Sequence, residues 1–211
     1  MNSFLKGNGL DSIELISELS LEFGPSGCEC RVRDKILKII GEFKVEAKTD
    51  RLGNLICLMR FGDLAATDRK RIMFAAHMDE VGFMVDGITS EGMLTFGCVG
   101  GISSSVIAGR KVLVGDEEKL YRGVICSKAI HHKSKDERKK ALEADKLYID
   151  LGFDTKEETE KHIKIGDLGT FDSEFYRFGK DSRTLKCKAL DDRMGCAALI
   201  EIMSELDTTP T

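Results

Sequence analysis

A chain of 211 residues, 42% hydrophobic and 32% charged, can bury at least one real core, as one large domain or two small ones. Its formal net charge of −4, with no long block of like charge, gives no electrostatic case for nucleic acid. No window approaches the roughly 20 apolar residues needed to cross a bilayer, so no membrane partner is expected. Met1 to Gly9 lacks the basic start and apolar run of a signal peptide. The seven cysteines are scattered and never spaced as C-x-x-C, so reduced thiols and a cytoplasmic location are expected.

Leu10, Ile13, Ile16, Leu19 and Phe23 recur three or four apart, which predicts a helix that Gly24-Pro25 stops. Ser26 to Glu29 has capping-box spacing and predicts a second helix, with Val32, Ile36, Ile39 and Ile40 as its buried face. Val45 and Ala47 alternate with charge as in an edge strand. Asp50 to Asn54 reads as a turn and Leu55 to Met59 as a strand. After a polar loop, Ile72 to Ala76 is a short apolar run bounded by Arg69, Lys70 and Arg71. It predicts a central strand buried on both faces, as in a parallel sheet.

Such sheets place ligand sites beyond the carboxyl ends of their strands, where His77 falls. In extended chain the two-residue period puts His77 and Asp79 on one side. Asp79 then accepts a hydrogen bond from one imidazole nitrogen and leaves the other for a metal. A buried histidine followed by a helix-capping aspartate is the commoner origin of so short a triplet.

Beyond Gly82 the texture changes. Twelve of the 21 glycines lie between Phe83 and Gly179, punctuating short alternating strands at Phe83–Val85, Met93–Phe96, Lys111–Val114, Tyr121–Cys126 and Leu147–Asp150. Regular short strands with glycine turns predict a small β-barrel or sandwich. Thr155 to Glu158 has capping-box spacing and predicts a helix to about His162. Ser134 to Lys146 reads as a solvated loop or short helix, and the adjacent His131 and His132 would point opposite ways on a strand. Cys196 to Leu206 is apolar on more than one side and predicts a buried helix. Asp191-Asp192 therefore lies in a strand-to-helix turn. One role for such a pair is capping the helix, and another is offering hard oxygen ligands to divalent cations.

The order Ala-Ala-His-Met-Asp-Glu-Val-Gly-Phe-Met-Val, then a glycine-rich β insertion, then Lys-Ala-Leu-Asp-Asp-Arg-Met-Gly-Cys is more specific than any one motif. Phe23 to Gly27, Leu52 to Leu55, Gly97 to Gly101 and Gly166-Asp167 ahead of Thr170-Phe171 agree with it. Nearly the whole chain resembles the glutamyl/deblocking aminopeptidase family of co-catalytic dinuclear metallopeptidases, whose members build tetrahedral particles. The resemblance implies an α/β fold: a peptidase-type sheet domain, residues 1–82 and 181–211, interrupted by a β-barrel dimerisation domain, residues 83–180. It implies a metal-dependent aminopeptidase acting on peptides, with two divalent ions (zinc or cobalt, with manganese as a third choice) and a homodimer that builds a larger homo-oligomer.

Carried over residue by residue, His77 resembles a ligand to one metal, Asp191 the carboxylate bridging both, and Asp79 the catalytic-site group that orients the ligands. A cis peptide after Asp191 is also implied. The family's Glu-Glu pair, further aspartate and late histidine have no counterpart before Thr211, so two of the five protein ligands and no general base are expected here. Three readings follow: part of a longer aminopeptidase, a truncated non-catalytic relative kept as a dimerisation or interaction module, or an unrelated α/β plus β-barrel binding protein.

Overall fold

The computed structural model describes residues 5–6, 9–62, 67–68, 70–127 and 146–207. His131, His132 and the charged stretch 134–145 lie outside them. In chain order the first half carries β1 (Leu5–Lys6), β2 (Gly9–Leu10), α1 (Ser12–Leu21), α2 (Cys30–Ile40), β3 (Glu46–Thr49) and β4 (Leu55–Leu58). Next come β5 (Gly82–Ile88), β6 (Leu94–Val99), β7 (Lys111–Gly115), β8 (Leu120–Ser127) and β9 (Leu147–Asp150). The chain continues with α3 (Lys156–Thr159), β10 (Leu168–Phe171), β11 (Tyr176–Phe178), β12 (Thr184–Lys186) and α4 (Leu190–Asp207). These fall into two compact units. The first is Met1–Gly24, Glu29–Asp79 and Phe175–Thr211; the second is Pro25–Cys28 and Glu80–Glu174.

The first unit mixes helices with short hairpins. Asp11 caps α1, its carboxylate accepting from the backbone N–H of Ile13 and Glu14 at 3.1 and 3.2 Å. The expected stripe holds at Leu19 and Phe23 and shifts towards Leu15 in the first turns. Leu15, Leu19 and Phe23 are the buried seam, whereas Ile13 and Ile16 are only partly covered. Helix α2 starts at Cys30 with Glu29 at its cap and no side-chain capping bond, so the expected capping box is not made. Its predicted face is the observed one: Val32, Ile36, Ile39 and Ile40 pack with Leu15, Leu19, Cys196, Ala197 and Ile200 into one core. Strands β3 and β4, both expected, pair antiparallel around the Asp50–Asn54 turn, although β3 is exposed along its whole length.

The expected central strand is a correction. Residues 70–79 form no strand, and Ile72, Met73 and Phe74 are 80%, 89% and 62% exposed. A strand exists only with a ladder, and among the described residues none pairs with this run. The apolar composition was read correctly, but burial depends on neighbours that composition does not supply. Helix α4 is a second correction. It is buried on one side only, through Cys196, Ala197 and Ile200, while Met194, Ile202 and Leu206 face solvent.

The second unit is a closed barrel with strand order β10-β5-β6-β9-β8-β7, every neighbouring pair antiparallel. Strand β10 closes it by pairing with β5 on one side and β7 on the other. Alternate inward residues fill it, among them Phe83, Val85, Leu94, Val112, Val114, Ile125 and Ile149. Phe83 meets Phe96 and Phe171 edge to face, each with ring centroids 5.1 Å apart. Closure sets one strict glycine: a Cβ on Gly82 would lie 2.3 Å from the carbonyl oxygen of Gly169. Helix α3 is shorter than expected, one turn capped by Thr155, whose hydroxyl accepts from Glu158 N–H at 3.2 Å. No described helix is long and apolar enough to cross a membrane.

Candidate metal centre

His77 follows the exposed run outside any strand, two positions ahead of Asp79. Asp79 Oδ1 sits 3.0 Å from His77 Nδ1. The other ring nitrogen, Nε2, meets Asp191 Oδ1 at 3.1 Å, across 114 positions of sequence. The imidazole is thus held between two carboxylates, with Nε2 directed at the more open one. The His77 side chain is 54% exposed and that of Asp191 is 95% exposed. Partial burial works to lower the His77 pKa. The hydrogen bond to Asp191 and the charge of Asp79 outweigh it, so the ring holds its proton more firmly than an ordinary histidine.

The two aspartates at the start of α4 divide the two roles that such a pair offers. Asp192 is the cap: its Oδ1 accepts from Gly195 N–H at 3.2 Å, and a Cβ on Gly195 would fall 2.3 Å from that same oxygen. Asp191 is left facing outward with His77 as its hydrogen-bonded neighbour. The peptide between them is cis, as the resemblance implied. The thiol of Cys196, one turn further along, reaches the His77 carbonyl at 3.3 Å, so α4 holds the histidine by backbone as well as side chain.

The donors suit a divalent cation. An imidazole nitrogen and a carboxylate oxygen each bound at about 2.0–2.1 Å at a tetrahedral angle would lie about 3.3 Å apart, against 3.1 Å here. The third member fits as well, because a ligating histidine ordinarily gives its other N–H to a carboxylate, as Nδ1 does to Asp79. Sequence reasoning named His77, Asp79 and Asp191, which the structure brings together, but passed over Arg193, which is fully buried two positions after Asp191. A charged residue one turn ahead of the buried Cys196-Ala197 pair was the available signal.

The same fold recurs in solved structures. A TET aminopeptidase from a marine-sediment Thaumarchaeota archaeon superposes with a TM-score of 0.85 at 37% identity, over 92% of this chain and 53% of that one. The TET1 peptidase of Pyrococcus horikoshii, described as assembling into a tetrahedron or a large octahedral shell, gives 0.82 at 35% identity, over 93% and 57%. The lysyl aminopeptidase of Pyrococcus furiosus is 29% identical over 197 residues, 92% of this chain and 54% of its own length. Barrel-inserted aminopeptidases are therefore the class that shares this architecture. The M42 glutamyl aminopeptidase family matches residues 53–211, and the chain belongs to that family. It spans about half the length of the curated relatives it matches.

Proposed function

We propose that the chain serves a metal-dependent aminopeptidase that removes N-terminal residues from peptides by two-metal hydrolysis. His77 and Asp191 would be the residues that hold the divalent ions, His77 through its imidazole and Asp191 through its carboxylate, and Asp79 the group that orients His77. The observation that carries this reading is the meeting of His77 Nε2 with Asp191 Oδ1 at 3.1 Å, backed by Asp79 on the opposite ring nitrogen. Bound divalent ions supply Lewis acidity and an activated water at neutral pH. Asp79 holds the ring orientation that turns Nε2 outward, and Asp191 brings a carboxylate that its neighbour Asp192, engaged in capping, does not. Mixed imidazole and carboxylate donors suit zinc, cobalt or manganese. Two donors do not complete such a centre, so the remaining ligands and the general base are groups other than these three.

Membership of the family and the aminopeptidases among the relatives support the peptide substrate. The barrel, within Glu80–Glu174 rather than the expected 83–180, is on this reading the dimerisation module of a soluble, cytoplasmic homo-oligomer, and the shell-forming relative from Pyrococcus horikoshii supports the assembly.

Cobalt is the direct probe because its visible bands report its ligands. The chain is expected to bind Co2+, and both His77→Ala and Asp191→Asn to abolish the bands. Equal uptake by the variants, or none by the parent chain, would sink the assignment of these two ligands. The native gene product from its source cells is expected to hydrolyse aminoacyl-p-nitroanilides, to stop on chelation and to recover with added Co2+ or Zn2+.

A further inference from the structure

Asp191 is 95% exposed, and its hydrogen bond to His77 is a weak anchor for a side chain that must be placed to within a fraction of an ångström. Its position is set by what grips the chain on either side. Helix α1 ends without a basic residue in its own last turn, so its terminal carbonyls need donors from elsewhere. Arg193 gives them, donating from Nη1 to Leu19 O at 2.6 Å and Glu22 O at 3.4 Å, and from Nη2 to Gly24 O at 3.3 Å. Lys188 Nζ donates to the same Glu22 carbonyl at 2.8 Å. Residues 188 and 193 are thus tied to one helix end, and Asp191 stands on the arch between them.

Three further features belong to this arch. Ala189 adopts φ +52, in the left-handed region that non-glycine residues rarely enter, and such strain persists only where surrounding bonds impose it. Arg193 N–H closes the loop onto Ala189 O at 3.1 Å. Gly24 leaves the guanidinium its space, since a Cβ there would lie 2.6 Å from Nη2. A buried guanidinium is costly to desolvate, and an apolar side chain of similar volume would fill the core without that cost.

We propose that Arg193, together with Lys188, is a positioning residue that fixes Asp191 opposite His77 Nε2 by clamping both feet of the arch to the end of α1. The role rests on the reading of His77 and Asp191 as metal donors, but the clamp itself is measurable without metal. The test compares the 211-residue chain with Lys188→Met, Arg193→Met and Arg193→Lys in three readouts. These are 15N relaxation of the Ala189–Asp192 amides in metal-free protein, the thermal midpoint, and zinc affinity by competition with a chromophoric chelator.

Arg193→Met and Lys188→Met are expected to loosen the 189–192 amides selectively and to weaken zinc by about tenfold or more, the usual effect of losing a group that orients a ligand. Arg193→Lys should recover part of both. A lowered midpoint with unchanged 189–192 amides would mean a purely structural arginine and would overturn the proposal. Should Arg193→Met fail to fold, Lys188→Met decides in the same way, because Lys188 is only partly buried. Loosened amides in the variants, with a parent chain that takes no zinc, would uphold the clamp and remove the metal reading instead.

Discussion

At the scale of single residues, two titrating groups give opposite expectations. Burial pushes the Cys196 thiol up to about 11, so almost no thiolate exists at neutral pH. Iodoacetamide at about pH 8 is expected to label exposed Cys98 first and Cys196 only on unfolding, as peptide mass mapping would reveal. Early labelling of Cys196 would mean that its bond to the His77 carbonyl does not hold. Asp50 is shifted the other way. Its carboxylate accepts from the Asn54 amide and from the Leu52 and Asn54 N–H groups, all at 2.9 Å, which holds its pKa below the usual value. A depressed carboxylate stabilises the fold above its unfolded pKa, and that contribution is lost as pH falls through the folded value. The urea-midpoint gap between the parent chain and Asp50→Ala should therefore be full at about pH 6 and close towards about pH 2.

Among the elements, the barrel strands and the 72–76 run respond differently to change. Gly82→Ala forces a methyl into the Gly169 carbonyl where β5 meets β10, whereas the corresponding space at Gly97 is open. Thermal melts should show Gly82→Ala strongly destabilised and Gly97→Ala little changed; equal effects would refute the tight closure. Ile72, Met73 and Phe74 should bind an environment-sensitive dye, because they form exposed apolar surface. Replacing all three with serine is expected to lower dye fluorescence while leaving the unfolding midpoint nearly unmoved. A large loss of stability would mean that they are buried after all.

For the whole molecule, two units with separate cores predict two unfolding events. Leu19→Ala, in the first core, should cost its own transition about 2–5 kcal/mol, the usual range for a buried leucine. Ile149→Ala, in the barrel core, should lower the other transition by a similar amount. Calorimetry in which either variant shifts both transitions equally would count against independent units. Light scattering at micromolar concentration tests the barrel's assembly role, with a dimer or larger particle expected and a monomer excluding it.

Local pattern determined much of this protein. The α2 face, the β3–β4 turn and the barrel strands were legible because alternation and three-to-four spacing describe which side of an element is buried. The His77–Asp79 pairing was legible from the spacing of two positions, and the two side chains do meet. The resemblance carried Asp191 to the site, since nothing local ties it to a histidine 114 positions away. Tertiary structure alone decided the rest. It left Ile72–Phe74 in solvent, because a strand needs a partner as well as apolar residues. It assigned capping to Asp192 and outward exposure to Asp191, because one carboxylate can face the helix N–H groups only by turning away from the other's position. It also made Arg193 a clamp, because the carbonyls it binds lie at and just beyond the end of a helix more than 160 residues earlier.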